Sequence, residues 1–588
     1  MAESVRNVDQ GRRRLVGLLA GAGAGAAVFG RALSALAAGG TKVTAEMVKQ
    51  AEWVSGVAFS DEERALMLED LNETADGIAA LREVVLDNAV PPAFTFGPNP
   101  GAPKPVPDTS APAPRRERPA TRPASDDELA FSTVRDLGRL LRAKRISATE
   151  LTKLYLARLA KYDPVLSCAV TVTSELALAQ AKRADDELAA GKDRGPLHGI
   201  PWGAKDLIAV PGTRTTWGSV PFKDQTRPET ATVYRRLEEA GAVLVAKTAV
   251  GELAWGDVWF GGTTKNPWKL DQGSSGSSAG SASATAAGLV GFAIGTETLG
   301  SIVSPCTRCG VTGLRPTFGR VSRHGVMALA WTMDKVGPIA RSAEDCALVF
   351  SAIEGKDALD PYSADGPFAW PPRRSLSDLT IGFVEELFEE ERGKNAKTDA
   401  EKARAAEWRQ IDRRSLDVLR QLGARLVPLK LPSKTPAGPL SLILTAEAAT
   451  AFDALVRDGR VKTMVRQTAD AWPNVFRQGR LISAVDYLSA QRARTLLMRE
   501  MDESLSGVDL FVAPTYGGSS LLMTNLTGHP CVVLPNGFRT ADGTPTSITF
   551  TGKLRGESDL LAVADLFQRA TDFHSRRPRL QEAPATKG

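Results

Sequence analysis

Residues 271–320 read DQGSSGSSAGSASATAAGLVGFAIGTETLGSIVSPCTRCGVTGLRPTFGR and constrain the fold more than any other stretch. A flexible Gly/Ser linker stays polar and aperiodic. Here the serine/glycine loop leads into Ala282 to Val290, of helix-forming composition, and then into an apolar run enclosed by Gly291 and Gly295. A second glycine turn follows, ending at Ser301. The serines are therefore held by ordered structure on both sides.

The rest of the chain has room for a large core, with 588 residues, 43% of them hydrophobic. From about Asp126 helical and strand-like segments alternate. Ser147 and Glu150 cap a helix that should stop near Asp163-Pro164. Glu175–Ala190 and Glu229–Ala240 read as helices, and Ala242 to Ala246 as a strand. Leu379–Val384, Arg425–Leu429 and Asp509–Ala513 also read as strands, with a long helix over Asp399–Leu422. Alternation of this kind predicts an α/β domain layered on a central sheet.

Upstream, arginines 12–14 precede a Gly/Ala-rich apolar stretch and the small-residue site Ala35-Leu36-Ala37, a pattern similar to a twin-arginine export signal. Leu15 to Gly30 is shorter than the roughly 20 apolar residues a membrane span needs. The expectation is an exported, periplasmic protein with no stable span after signal removal; a membrane anchor or a cytoplasmic location is the alternative. Residues 38–95 read as a small helical module with a Ser60–Glu63 capping box. Nine prolines between Pro98 and Pro123 mark residues 96–125 as a linker. The expected layout is thus a signal over 1–37, the module, the linker, a catalytic domain over 126–575 and a tail over 576–588.

The net charge of +5 is largely a property of the first 37 residues, whose five arginines face only Glu3 and Asp9. No nucleic-acid partner follows from it. Four histidines argue against a histidine-rich metal site, and five scattered cysteines against a disulfide framework. The lone pair Cys306/Cys309 lacks two further ligands nearby, so it reads as buried packing. Arg308 between them fits a pocket wall or the solvent face. Trp202, Trp217, Trp255 and Trp331 are candidates for aromatic lining, with core packing the commoner use.

Two residues carry a chemical argument directly. Ser301 ends the turn TETLGS, where glycine lets successive N–H groups converge on one point, as acyl transfer requires for its developing oxyanion. Ser301 is the candidate nucleophile, with the N–H groups around Leu299, Gly300 and Ser301, flanked by Thr298, as the oxyanion hole. Alternatively it is a serine in an ordinary turn. Lys205 sits among small and apolar residues in GPLHGIPWGAKDL (195–207), and burying an ammonium is costly unless it is paired or neutral. It is either a general base or an ion-paired lysine held by Asp206 or Asp257.

Taken together, GSSAGS (276–281), GTETLGS (295–301) and the Lys205 segment resemble the amidase signature family of serine hydrolases. PGTRTTWGS (211–219), LEEAGAVLVAKT (237–248), GVTGLRPTFGRVSRHG (310–325), DKVGPIARSAED (334–345), DLFVAPT (509–515) and NLTGHPCVVLPNGF (525–538) extend the resemblance over about residues 126–575. It implies a central mixed sheet sandwiched by helices, no cofactor and no metal, and hydrolysis of a small amide through an acyl-enzyme. It also implies that Ser277, after a cis Gly276–Ser277 bond, relays the proton from Ser301 to Lys205, with Ser278 supporting it. The 24-residue interval to Ser301 fits Ser277 and excludes Ser274 and Ser275. Three positions depart from the family pattern: Glu297 for Asp, Leu299 for Gly and Val303 for an arginine that in some relatives binds a substrate carboxylate. The last argues against a glutamine-type or malonate-type substrate.

Two rivals remain. Gly276-x-Ser278-x-Gly280 also matches a nucleophile elbow, which would make Ser278 the nucleophile of an α/β-hydrolase with His529 or His574 as base; NPWKLDQG (266–273) does not supply the strand that reading needs. The other is an exported binding protein on a degenerate amidase scaffold. Oligomeric state is not encoded legibly.

Overall fold

The computed structural model describes residues 42–55, 57–84, 121–372, 374–389 and 397–582. The twin-arginine stretch and nearly all of the proline-rich linker lie outside them.

Eleven strands form one sheet. In chain order they are β1 (Ala169–Val172), β2 (Pro201–Lys205), β3 (Val243–Thr248), β4 (Phe292–Glu297), β5 (Thr312–Arg315), β6 (Lys335–Ala340), β7 (Thr380–Phe383), β8 (Arg425–Pro428), β9 (Leu510–Pro514), β10 (Cys531–Phe538) and β11 (Pro545–Gly552). Across the sheet they run β1-β3-β2-β4-β6-β5-β10-β11-β9-β7-β8. β2 lies parallel to both β3 and β4, while β4 and β6 run antiparallel. The sheet is mixed and helices pack on it, the architecture the sequence predicts.

The parallel trio β3-β2-β4 matters most. Its strands are buried along their whole length, so they read as apolar runs rather than alternating ones. Trp202 and Phe292 are register partners on β2 and β4, and their rings stack at 6.0 Å. That register brings Lys205, at the end of β2, beside the end of β4. The crevice at the carboxyl ends of parallel strands is where α/β proteins place chemistry.

The upstream module is a helical hairpin of α1 (Ala45–Ser55) and α2 (Asp61–Arg82), and the Ser60–Glu63 capping box forms. Arg64 and Glu52 pair between the two helices at 2.6 Å. α2 lies on the main body: Asp70 accepts from Gln478 at 2.7 Å and Glu63 from Arg477 at 2.7 Å. Leu81, in its last turn, belongs to the same apolar cluster as Ala330, Met333 and Leu440.

Some boundaries differ from expectation. The helix capped by Ser147 and Glu150 runs on to Leu166 with Pro164 inside it. Asp163 explains the late ending, because its carboxylate accepts the N–H groups of Cys168 and Ala169 just past the helix. The helix expected from Glu229 starts at Thr232, since Glu229 is held by Arg227 in the preceding turn. The small-residue helix α3 (Ala279–Ala286) starts earlier than expected and ends before Gly288, whose φ is +64°. A strand does form within NPWKLDQG, at Lys269–Gly273, but it pairs only with Lys265–Asn266 in a two-stranded ribbon outside the main sheet.

Candidate active site

Three segments meet at the ends of β2 and β4. β2 delivers Lys205. The loop before α3 delivers Ser277 and Ser278. The turn between β4 and α4 (Val303–Cys309) delivers Ser301. All four residues are buried, Ser301 the least so at 9% exposure.

Lys205 Nζ donates to Ser277 Oγ at 2.8 Å, to Ser278 Oγ at 3.0 Å and to Thr296 Oγ1 at 2.8 Å. Neither carboxylate proposed as its partner reaches it. Asp206 pairs with Lys247 at 2.8 Å, and Asp257 accepts the Ser275 N–H. Among the described residues no carboxylate forms an ion pair with Lys205. Burial therefore pushes its pKa well below the ordinary lysine value, and the distant charges of Asp334 and Glu297 do not restore it. Thr296 lies inside GTETLGS, but the sequence assigned it no role. It lies two residues past Ile294 on β4, and only the parallel pairing of β2 with β4 brings it to Lys205.

The loop around Ser277 is built by close approach. The Gly276–Ser277 peptide bond is cis. A Cβ on Gly276 would sit 1.8 Å from the Gly256 carbonyl oxygen, so only glycine fits there. Ser278 Oγ is fully engaged, donating to Thr296 O at 3.1 Å while accepting from Lys205 and from the Thr296 N–H. Ser277 and Ser301 are neighbours through the backbone, where Ser278 N–H donates to the Ser301 carbonyl at 3.2 Å. Among the described residues no hydrogen bond joins the Ser277 and Ser301 hydroxyls.

The Ser301 turn is held from three directions. Gly300 has φ of +84°, a left-handed conformation open to glycine at little cost. Glu297 accepts the N–H groups of Ile302 and Val303, each at 2.9 Å, and so caps the start of α4. Its other oxygen takes Arg315 at 2.8 Å and Asn525, from α5 (Ser520–Leu526), at 2.9 Å. Burial alone would raise the Glu297 carboxyl, but the Arg315 charge and these donors win and hold it at about 2. Finally Thr298 Oγ1 donates to Asp334 at 2.6 Å, and the same carboxylate accepts from Leu329 and Ala330. The N–H groups of Thr298, Leu299, Gly300 and Ser301 find no acceptor among the described residues. They are four free donors beside a serine hydroxyl, the composition an oxyanion site needs.

In the sequence Glu297 stands out only as a departure from a pattern. Its burial at the end of an apolar strand was the available signal for a structural carboxylate. Arg315, Asn525, Asp334 and Lys335 fall in segments that carry the resemblance, but the sequence assigned them no role, because Arg315, Asn525 and Asp334 serve the turn through partners distant in the chain. Among the described residues Lys335 Nζ reaches only the Thr298 carbonyl, at 3.5 Å, and burial pushes its pKa well down as well.

The other candidates sort clearly. His529 bonds Thr527 at 2.8 Å and burial lowers it to about 4. Cys306 and Cys309 pack in an apolar cluster with Ile302 and Val533. Arg308 is exposed and touches Gln272. Trp202 is core, whereas Trp331 and Trp217 line cavities next to the site.

Comparison with known proteins identifies the family. The family profile described as Amidase matches residues 150–522. A glutamyl-tRNA(Gln) amidotransferase subunit from Marinomonas sp. is 36% identical over 495 residues, 76% of this chain and 98% of that protein. The native peptide amidase of Stenotrophomonas maltophilia has 29% identity and a TM-score of 0.64 over 76% of this chain and 98% of its own. A chain from a vestigial protein complex described as revealing the evolutionary origins of an s-triazine catabolic enzyme aligns with a TM-score of 0.65 at 26% identity, over 76% of this chain and 100% of its own. The chain belongs to the amidase signature family and is an amide C–N hydrolase.

Proposed function

We propose that the protein hydrolyses a carboxylic amide through Ser301, Ser277 and Lys205 by way of an acyl-enzyme. The observation that carries this reading is the buried Lys205 amine, bonded to the Ser277 hydroxyl at 2.8 Å and to no carboxylate among the described residues. Neutral Lys205 takes the Ser277 proton as Ser277 takes that of Ser301. The freed Ser301 oxygen attacks the amide carbon, and the N–H groups of Leu299, Gly300 and Ser301 meet the charge on the former carbonyl oxygen. The proton returns by the same path to the leaving nitrogen, and the C–N bond breaks. Water, deprotonated by the same relay, then releases the acid from Ser301. The hydroxyl pair 277/301 closes on substrate binding, because catalytic hydrogen bonds that are long in a free site tighten in the complex.

The competing elbow mechanism has little to work with. Ser278 is fully buried and fully bonded, and His529 faces Thr527. Similarity to the glutamyl-tRNA(Gln) amidotransferase raises glutamine as a second substrate; Val303 stands where a carboxylate-binding arginine would favour it. Fluorophosphonate labelling followed by peptide mass spectrometry tests the nucleophile. Ser301 is the expected site, and a label on Ser278, or none in folded protein, overturns the assignment. Export is the companion proposal, supported by arginines 12–14 and the apolar stretch behind them. Cell fractionation of an Arg13→Lys/Arg14→Lys variant tests it, with retention in the cytoplasm expected.

A further inference from the structure

α3 follows Ser277 and Ser278, and α4 follows Ser301. Both helices end at one cavity, of about 120 Å³, which Ala286 and Cys309 help to line. At 1.5 Å per residue, the eight residues of α3 set it roughly 12 Å from the serines. Its walls carry the guanidiniums of Arg341, Arg576 and Arg577 and the imidazole of His574, and among the described residues no carboxylate lines it. Arg341 is buried; its Nη1 donates to the Val290 carbonyl at 2.9 Å and its Nη2 to the Ser132 carbonyl at 2.7 Å. Its Nε finds no acceptor among the described residues, and His574 Nδ1 is likewise buried without a partner there. Buried polar groups are nearly always paired. Two unpaired nitrogens, on two residues that line one cavity, point to an occupant that supplies their partner. Arg576 and Arg577 are exposed and lie over the Phe538 and Phe131 rings, each at 4.9 Å, and neither forms an ion pair among the described residues. Stacking fixes the plane of a guanidinium and leaves its N–H edge free.

Charge and size restrict the occupant. The carboxylates whose charge reaches these groups are engaged elsewhere: Asp345 accepts the Arg135 N–H, and Asp565 pairs with Arg569 at 3.0 Å. The charges of Asp572 and Asp565 do not offset the burial of His574, whose pKa stays below its ordinary value. Carbonyls at the ends of α3 and α4, which would repel an anion, are covered: Arg341 donates to Thr285 at 3.4 Å and Trp268 Nε1 to Cys309 at 2.8 Å. The wall is therefore positive and calls for an anion. The volume equals about four water molecules at ~30 Å³ each, enough for a phosphate group and little more. Guanidiniums match phosphate oxygens in pairs, which suits three arginines around one small space. We propose that this cavity binds a phosphate group, held by Arg341, Arg576 and Arg577 with His574 as a further donor. The group is either the free ion or the monoester of a larger molecule that projects past Arg576 and Arg577 into solvent. The site stands whichever serine attacks the amide.

Isothermal titration calorimetry of the full chain with inorganic phosphate tests this. One saturable site is expected, with acetate binding about tenfold more weakly or not at all. Tighter binding of glycerol phosphate than of phosphate assigns the site to a monoester, and weaker binding assigns it to the free ion. Arg576→Gln and Arg577→Gln lie at exposed positions, so neither should disturb folding, and each should weaken phosphate about tenfold through loss of a charge-assisted hydrogen bond. The ring of His574, one of only four histidines, reports directly by NMR: bound phosphate should raise its pKa. No saturable binding below roughly 10 mM phosphate, affinity unchanged in both variants, acetate binding equally well, or a His574 pKa unmoved at saturation would each overturn the proposal. So would phosphate binding that disappears once Ser301 is blocked by a fluorophosphonate, because the ion would then belong to the catalytic centre.

Discussion

Lys205 and Lys247 occupy neighbouring parallel strands, and both are fully buried. Lys247 meets a carboxylate, Asp206 at 2.8 Å, with Thr215 Oγ1 at 3.0 Å. Lys205 meets three hydroxyls. Burial lowers the pKa of both, but at Lys247 the charge and hydrogen bond of Asp206 oppose the drop, and at Lys205 no neighbour does so at contact distance. The same residue type, at the same depth, is a structural cation in one place and a candidate base in the other. Burial does not distinguish them; the chemistry of the partner does.

The largest expected effect separates them at once. Ser301→Ala and Lys205→Met should each lower kcat/KM by about four to six orders of magnitude, as loss of a member does in other nucleophile–base sets, measured on any amide the protein hydrolyses. Lys205→Met should also fold at least as stably as the parent, since it removes a desolvated amine. Lys247→Met should do the opposite. It strands Asp206 in the interior and should cost about 3–5 kcal/mol of stability, read by denaturant unfolding. A Lys205→Met variant that loses stability, or a Lys247→Met variant that loses only turnover, would collapse the distinction.

Ser277→Ala should come next, lowering kcat by about two to three orders of magnitude with KM little changed, because it interrupts proton transfer rather than binding. The pH dependence sharpens the contrast further. The base must be neutral, so kcat/KM should rise with pH through the depressed Lys205 pKa and then level off. Stability carries the same sign. The unfolded chain holds this proton up to the ordinary value of 10.5, the folded chain loses it earlier, and stability should climb with pH across that window. Lys205→Met should flatten both profiles. The smallest effect belongs to the edge of the molecule: Asp70→Ala removes one bond to Gln478 and should cost about 1 kcal/mol or less, with no change in kcat.

What the sequence could reveal about this contrast was uneven. The Ser277, Ser301 and Lys205 assignments rested on short motifs whose geometry is local, and the structure brings all three segments together. The fate of Asp206 was undecidable, since it follows Lys205 immediately and its real partner is 41 positions away on a neighbouring strand. Thr296 and Glu297 adjoin in the chain yet serve different groups, because successive side chains on β4 point to opposite faces. One holds Lys205; the other holds Arg315 and the start of α4. One helix end shifted because a side chain within the helix, Asp163 just before Pro164, accepts the N–H groups of Cys168 and Ala169 beyond it.

The seating of α2 has a practical corollary. Leu81 completes the apolar cluster that contains Ala330 and Met333, on either side of Trp331, which lines a cavity next to the site. Starting the chain at residue 150, where the family match begins, would remove α2 and uncover this cluster. The shortest useful expression boundary therefore lies ahead of α1.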